Sequence, residues 1–230
     1  MQFKTENIKY FIVFLLIMFT NLIANAQIKT RIGFGISDII FKKYGQSPYL
    51  SYEINTLVHR LPAISFQAGV SKQVALSQRF DLNSGLLFSK QGLNYDSDFL
   101  YDKIAYRLNL FYLKVPVLFQ YKTNIRKDRQ SGIYVGPYIA GLLKASRVKE
   151  VQGELEKEKM ENVNNFDFGG VVGYSWDVGK SPGQLYLDAR CTYSLVNSMK
   201  EMDGNIPWYY GPEKKYVRNV NIVLAFEFQL

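Results

Sequence analysis

Alternation of apolar and polar side chains restricts the fold of this chain more than any other feature. In the last segment, 217–230, one set of alternate residues is apolar: Val220, Ile222, Leu224, Phe226, Phe228 and Leu230. The residues between them are mostly polar or small: Asn219, Asn221, Ala225, Glu227 and Gln229, with Val223 as the bulky exception. Successive side chains point to opposite sides only in a β-strand, so this period of two predicts a strand rather than a helix.

Eight segments of the chain share this pattern. They are residues 28–38, 62–75, 79–91, 106–121, 131–142, 165–178, 184–195 and 217–230. Most of them are long enough to cross a bilayer as tilted strands, which takes about 9–11 residues. An even number of such strands returns the chain to the side from which it started.

The connections between these segments alternate in length. Four are long, namely 39–61, 92–105, 143–164 and 196–216, and the three between them are short, namely 76–78, 122–130 and 179–183. Outer-membrane barrels have short periplasmic turns and long external loops, whereas a soluble β-sandwich has no reason to sort its loops in this way. We therefore predict an all-β fold, an eight-stranded antiparallel up-and-down transmembrane β-barrel with both ends of the mature chain in the periplasm.

The first 26 residues have the order of a cleavable secretory signal. Two lysines precede an apolar run from Tyr10 to Phe19, and Ala24-Asn25-Ala26 then forms a small-x-small site. A permanent helical anchor is the alternative, but it needs about 20 apolar residues and this run is shorter. We expect residues 1–26 to be the signal peptide and residues 27–230 to form the barrel domain.

Composition removes several other classes of protein. Aromatic residues make up 15% of the chain, which excludes low-complexity disorder. The formal net charge is +8, but the basic residues are scattered and no reading motif accompanies them, so we expect no nucleic-acid partner. The one cysteine, Cys191, cannot form an internal disulfide, and we interpret it as a small apolar strand residue. No metal or organic cofactor has a motif in the sequence.

The polar side of the predicted strands carries charges deep inside the segments. They are Asp81, Lys114, Asp167, Asp188, Arg190 and Glu227. An eight-stranded barrel encloses a space just wide enough for side chains, so these residues would have to pair there. We predict a lumen charge network that plugs the barrel, in which Arg190 reaches Asp167 or Glu227. A narrow passage for small solutes is the alternative.

Enzymatic chemistry has weak support in the sequence. The only histidine, His59, falls in the first long connection together with Ser47 and Ser51, and Asp38 lies where that connection begins. These common residues stand in no local motif such as G-x-S-x-G. We interpret His59 as a solvated loop residue and expect no enzyme and no catalytic residue. A lipid-modifying enzyme or protease that uses His59 is the third functional hypothesis.

The two longest later connections are candidates for recognition, because loops on a rigid scaffold carry binding sites. The connection 143–164 is rich in Glu and Lys, and we interpret it as a solvated, charged loop. A short external helix and an extension of two strands beyond the membrane are the alternatives. The connection 196–216 holds Trp208, Tyr209 and Tyr210 between two prolines. These aromatic residues suit contact with a partner and suit the membrane interface equally well.

The short connection 122–130 is basic. It holds Lys122, Arg126, Lys127 and Arg129. We interpret it as a solvated turn in the periplasm, and contact with a periplasmic partner or with anionic headgroups is the alternative.

Four short motifs occur in order along the chain. They are Tyr112-Leu113-Lys114-Val115-Pro116, Gly136-Pro137-Tyr138-Ile139-Ala140-Gly141, Phe166-Asp167-Phe168-Gly169-Gly170 and Leu187-Asp188-Ala189-Arg190-Cys191-Thr192-Tyr193-Ser194. With these motifs, essentially the whole mature chain resembles the PorT-type outer-membrane β-barrel family of Gram-negative bacteria. That family usually has an acidic residue where this chain has Lys114. At the C-terminus, Phe228 and Leu230 replace its usual terminal aromatic residue.

The resemblance implies an integral outer-membrane barrel with no known chemistry, and one founding member of the family is tied to protein secretion across the outer membrane. The expected partners are outer-membrane lipid and lipopolysaccharide, the barrel-insertion machinery during assembly, and an envelope protein. The leading hypothesis is a non-enzymatic protein of the cell outer membrane, whose external loops bind something or whose barrel joins a larger envelope assembly.

Overall fold

The computed structural model describes most of the chain beyond the predicted signal peptide. The described residues are 27–43, 58–99, 102–126, 129–151, 153–161, 163–180, 184–198 and 215–229. Residues 1–26, Ser47, Ser51, Trp208, Tyr209 and Tyr210, for which the sequence makes predictions, lie outside these ranges.

Nine β-strands make up the described structure. They are β1 (Gln27–Lys43), β2 (Val58–Ala75), β3 (Phe80–Phe99), β4 (Asp102–Arg126), β5 (Arg129–Val151), β6 (Glu154–Lys159), β7 (Phe166–Lys180), β8 (Gln184–Ser194) and β9 (Lys215–Gln229). Within the described ranges, no helix is long and apolar enough to cross a membrane.

Eight of these strands close into a barrel. Strands β1 to β5 pair in sequence order, β5 then pairs with β7, and β8 and β9 complete the wall. The ring closes where β9 pairs with β1, and every pairing is antiparallel. The prediction of an eight-stranded antiparallel barrel is therefore confirmed, and a closed barrel rules out the sandwich.

The two sides of the barrel wall differ as the alternation predicts. Along β8 the side chains from Tyr186 to Ser194 alternate between buried and more accessible. Along β1 the outward Phe34 is 61% exposed, whereas the inward Arg31 is 3% exposed. The free Cys191 lies on the outward side of β8 and is half-buried. Apolar side chains thus form a belt around the barrel, and polar side chains fill its interior.

Two of the predicted long connections are largely strands, so those predictions were wrong. Strand β3 continues to Phe99 and β4 begins at Asp102, within the predicted connection 92–105. Strand β5 continues to Val151 and pairs with β6, within the predicted connection 143–164. The helix predicted as one option there is absent from the described part of this segment, and the alternative, extended strands, is correct.

Pairing across the β5–β6 hairpin explains this outcome. Gly153, with φ of 89°, supplies the left-handed residue that a tight connection needs. Near the base of the hairpin, four residue pairs from the pair that flanks the turn, Arg147 stands directly opposite Glu158, and their side chains form an ion pair. Cross-strand contacts of this kind outweigh the helix propensity of glutamate and lysine, because intrinsic propensity is a weak determinant.

The short connection 122–130 is also mostly strand, since β4 runs to Arg126 and β5 begins at Arg129. The expectation that Lys122 is a solvated turn residue was wrong. The Lys122 ammonium lies 2.8 Å from the carboxylate of Asp81, inside the end of the barrel. Lys122 follows Gln120 and Lys114 at even spacing on β4, and this phase directs all three side chains inward.

Glycines of β7 make room for tyrosine rings inside the barrel. Gly173 stands opposite Tyr134 and Gly169 stands opposite Tyr138. A Cβ atom on either glycine would collide with the facing tyrosine ring. These pairs explain why β7 carries several glycines although glycine disfavours strands.

Candidate functional site: the closed lumen and the outer sheet

The six charged residues predicted to lie in the lumen are all buried. Their exposed fractions run from 1% to 7%, and they are Asp81, Lys114, Asp167, Asp188, Arg190 and Glu227. Three of them, Asp188, Arg190 and Glu227, meet in one cluster, which we call the middle cluster. The other three lie apart from it and have different partners.

Arg31 is the centre of this middle cluster. One nitrogen of its guanidinium, Nη1, donates hydrogen bonds to Asp188 over 2.5 Å and to Glu227 over 2.7 Å. The side chain joins three neighbouring strands, because Arg31 is on β1, Asp188 on β8 and Glu227 on β9. A buried arginine between two carboxylates offsets part of the cost of removing these groups from water.

Tyr134 and Arg190 complete the cluster. The Tyr134 hydroxyl donates to Asp188 over 2.6 Å and accepts a hydrogen bond from Nε of Arg190 over 3.0 Å. Arg190 also approaches Glu227, with 3.7 Å between nitrogen and oxygen. Of the two acidic partners predicted for Arg190, it is therefore Glu227 that lies beside it. Asp167 bonds instead to the hydroxyls of Tyr138 and Ser194.

Lys29 and Asp81 carry the charge pattern towards the short-turn end of the barrel. The Lys29 ammonium lies 3.9 Å from Glu227 and 3.8 Å from the centre of the Tyr186 ring. Asp81 accepts a hydrogen bond from Gln73 and pairs with Lys122. Each of these carboxylates has its own cation, as burial in a space without bulk water requires.

Lys114 differs from the other buried cations. Its side chain is 2% exposed, and within the described structure its ammonium makes no hydrogen bond. The ammonium lies 4.6 Å from the centre of the Tyr138 ring, close enough for a cation–π contact. Lys114 thus lies next to the Tyr138–Asp167 pair rather than in the middle cluster.

The space left inside the barrel is small. A cavity of about 20 Å³ remains beside the middle cluster, lined among others by Arg31, Tyr134 and Ser175. A single buried water needs about 10–15 Å³ on this scale, so the cavity has room for one or two water molecules.

An apolar layer lies above the charges, at the end of the barrel with the long connections. We call it the apolar cap, and its members are Ile39, Leu93, Leu108, Leu110 and Val163. Each of them is at most 5% exposed. Val163 belongs to the segment after β6, which is held by backbone bonds from Met160 to Ala145 and from Asn164 to Ser198.

The lumen charges predicted from the sequence did not include Arg31 and Lys29, and the apolar cap was not predicted. The signal for the two cations was present, because both share the inward phase of β1 with Gly33 and Ser37. The cap gave no such signal, since its residues are apolar where the interior is expected to be polar.

From the level of the apolar cap outward, four strand segments form what we call the outer sheet. They are residues 93–99 of β3, 102–110 of β4, 144–151 of β5, and β6. Opposed residues of antiparallel strands share a side of the sheet. The inner side, continuous with the lumen, carries Glu154, Glu156 and Glu158, whereas the outer side carries Leu155, Lys157 and Lys159.

The expectation that His59 lies in a loop was wrong. His59 is part of β2, and its backbone stands opposite Asp96 of β3. Strand β2 begins at Val58, four residues before the predicted start of the segment at Pro62. Among the described residues, no group of three His, Cys, Asp or Glu side chains is placed to hold a metal ion.

Comparison with known proteins places this architecture in a family. Residues 19–200 match the family described as outer membrane protein beta-barrel domain. The chain belongs to this family. Membership locates the protein in the outer membrane, with its apolar belt in the lipid. Barrels of the outer membrane keep their short turns in the periplasm, so the outer sheet projects from the cell.

Solved structures with similar chains are also outer-membrane barrels. They include Ail, the attachment invasion locus protein of Yersinia pestis, with 11% identity over 90% of this chain and 99% of that chain at a TM-score of 0.38. Neisserial surface protein A has 11% identity over 89% of this chain and 97% of that chain, at a TM-score of 0.42. OprG from Pseudomonas aeruginosa has 12% identity over 90% of this chain and 96% of that chain, at a TM-score of 0.38. Curated proteins gave no match.

Proposed function

We propose that this family member is a non-enzymatic surface protein whose outer sheet binds a protein partner of the cell envelope. The single observation that carries the proposal is the contrast between a filled lumen and a sheet that extends past the lipid. The charge cluster and the apolar cap occupy the interior, and the cavity beside the charge cluster measures about 20 Å³. Solute passage would require both layers to move aside.

The outer sheet has the properties of a recognition surface. Its strands are fixed by continuous pairing with the barrel, so binding would cost little ordering entropy. All but one of the β6 side chains are exposed, and its glutamates form a row on the inner side. The resemblance to PorT-type barrels, one founding member of which is tied to protein secretion, agrees with a partner in the cell envelope.

The test is a pull-down from the native outer membrane in mild detergent, comparing the full chain with a shortened hairpin. In the variant, residues 148–157 are replaced by Asn-Gly, a turn that joins Arg147 directly to Glu158. This change keeps Val163 and the apolar cap in place. We expect the variant to fold, as judged by its heat-modifiable gel mobility, and to lose the partners that the full chain retains.

A matched control separates the hairpin from its charge. Replacing Glu154, Glu156 and Glu158 by Gln keeps the strand and removes the acidic row of the inner side. Loss of the same partners in this variant would assign the contact to that row. Identical partners for the full chain and the shortened hairpin would refute the proposal, and a conductance measurement would then test solute passage.

A further inference from the structure

Two lysines mark the edge of the apolar belt on the outer surface of the barrel. Lys90 of β3 and Lys144 of β5 stand on either side of Phe111 of β4, directly opposite it in the two strand pairings. Neighbouring strands lie about 4.8 Å apart, which separates the two lysine backbones by roughly 10 Å. All three side chains therefore lie in one outward row.

The row coincides with the end of the lipid-facing surface. Phe88, two residues before Lys90, points outward and contacts the ring of Phe111. Leu143 is 58% exposed, and a bulge in β5 brings it outward together with Lys144. The next outward residues of β4 beyond Phe111 are Asn109 and Arg107, so Phe111 is the last large apolar side chain on the outward side of that strand.

Lys90 and Lys144 have no carboxylate partner among the described residues. Two carboxylates farther out, Glu150 and Glu161, are paired with other cations. Lys144 is exposed and Lys90 is half-buried. Lysines at the rim of an apolar belt extend their ammonium groups into the layer of lipid headgroups.

One further lysine lies above the row. On the outer side of the outer sheet, Glu150 pairs with Arg107 and Lys159 pairs with Glu161, whereas Lys157 has no ion pair among the described residues. The glutamates of β6 point to the other side of the sheet and do not face this lysine.

We infer that Lys90 and Lys144 bind the phosphate groups of an anionic glycolipid of the outer leaflet, with Phe111 and Leu143 contacting its acyl chains. A lipid fits better than free phosphate, because its own acyl chains hold the headgroup at the height of the row and contact the apolar residues below it. This inference is independent of the partner proposed for the inner side of the outer sheet.

The experiment measures binding of lipid A to the purified full chain in a neutral detergent by native mass spectrometry. Three probes are compared: lipid A with both phosphates, the same lipid after dephosphorylation, and inorganic phosphate. We expect the phosphorylated lipid to bind and the double variant Lys90→Gln/Lys144→Gln to bind it about 30-fold more weakly, since each lysine near anionic headgroups contributes about fivefold.

Matched variants keep the test decisive. Lys72→Gln, at the opposite edge of the belt on β2, should bind like the parent chain, and Lys90→Arg/Lys144→Arg should retain binding because the charges remain. Unchanged binding by the double glutamine variant, or equal binding of dephosphorylated lipid, would overturn the inference. Competition by inorganic phosphate at equal affinity would overturn the assignment to a lipid. The shortened hairpin keeps both lysines and should still bind the lipid, so failure of the proposed function would be seen separately.

Discussion

The two halves of β4 follow the same alternation with opposite polarity. In the half near the short turns, the outward Val117 and Phe119 are exposed to lipid, while the inward Lys114 is buried. In the other half the inward Leu108 is buried and the outward Arg107 is exposed. Apolar side chains face outward where lipid surrounds the strand, and inward where water does. The change of polarity therefore marks the membrane boundary.

The largest effect should come from the charge cluster of the lipid-embedded half. Arg31→Met leaves Asp188 and Glu227 without their shortest ion pairs, and we expect the free energy of unfolding to fall by about 4 kcal/mol, as for other broken buried pairs. Urea unfolding in lipid vesicles measures it. Lys114→Met is the control, since the Lys114 ammonium makes no hydrogen bond among the described residues and should cost much less. Equal losses would mean that burial, not pairing, determines the effect.

A second prediction compares leucines on the two sides of the boundary. Leu110 is fully buried in the apolar cap, and Leu110→Ala should lower the free energy of unfolding by about 3 kcal/mol through the cavity it leaves. Leu113 lies on the same strand, 37% exposed in the belt, where lipid fills the space that alanine leaves. Leu113→Ala should therefore cost less in the same urea titration. The reverse order would contradict a packed cap.

The smallest effect is expected on the outer side of the outer sheet. Arg107 and Glu150 form an ion pair of 2.9 Å, but their side chains are 57% and 36% exposed. Such surface pairs contribute about 0.2–1 kcal/mol. Arg107→Ala should thus hardly change the unfolding midpoint, and any change should shrink in 1 M salt. A loss as large as that of Arg31→Met would show that the outer sheet supports the barrel.

The polarity change also explains what could be predicted from the sequence. The eight barrel strands were predictable because lipid on one side and a polar interior on the other enforce a strict period of two. Strand β6 was not, since both of its sides meet water and its Glu-Leu-Glu-Lys pattern has no apolar side. The apolar cap was missed for a related reason, because Leu108 and Leu110 are apolar on the inward side.

The partners of the buried charges were less predictable than their burial. Alternation places Asp188, Arg190 and Glu227 inside the barrel, but it does not tell which cation lies beside which carboxylate. That depends on how neighbouring strands are aligned. Arg31 contacts Asp188 although 157 residues separate them in sequence. Asp167, which stands opposite Ala140, accepts hydrogen bonds from two hydroxyl groups instead.

The position of Arg31 has a consequence for how the barrel closes. Sliding β9 by two residues along β1 would leave every apolar side chain facing lipid, so the hydrophobic pattern alone tolerates that register shift. The shift would place Arg31 opposite Ala225 or Gln229 instead of Glu227 and would leave a carboxylate without its cation. The cluster joins β1 to both β8 and β9, so it is complete only when the first and last strands have paired. It therefore acts as a register key that selects one alignment when the first and last strands meet.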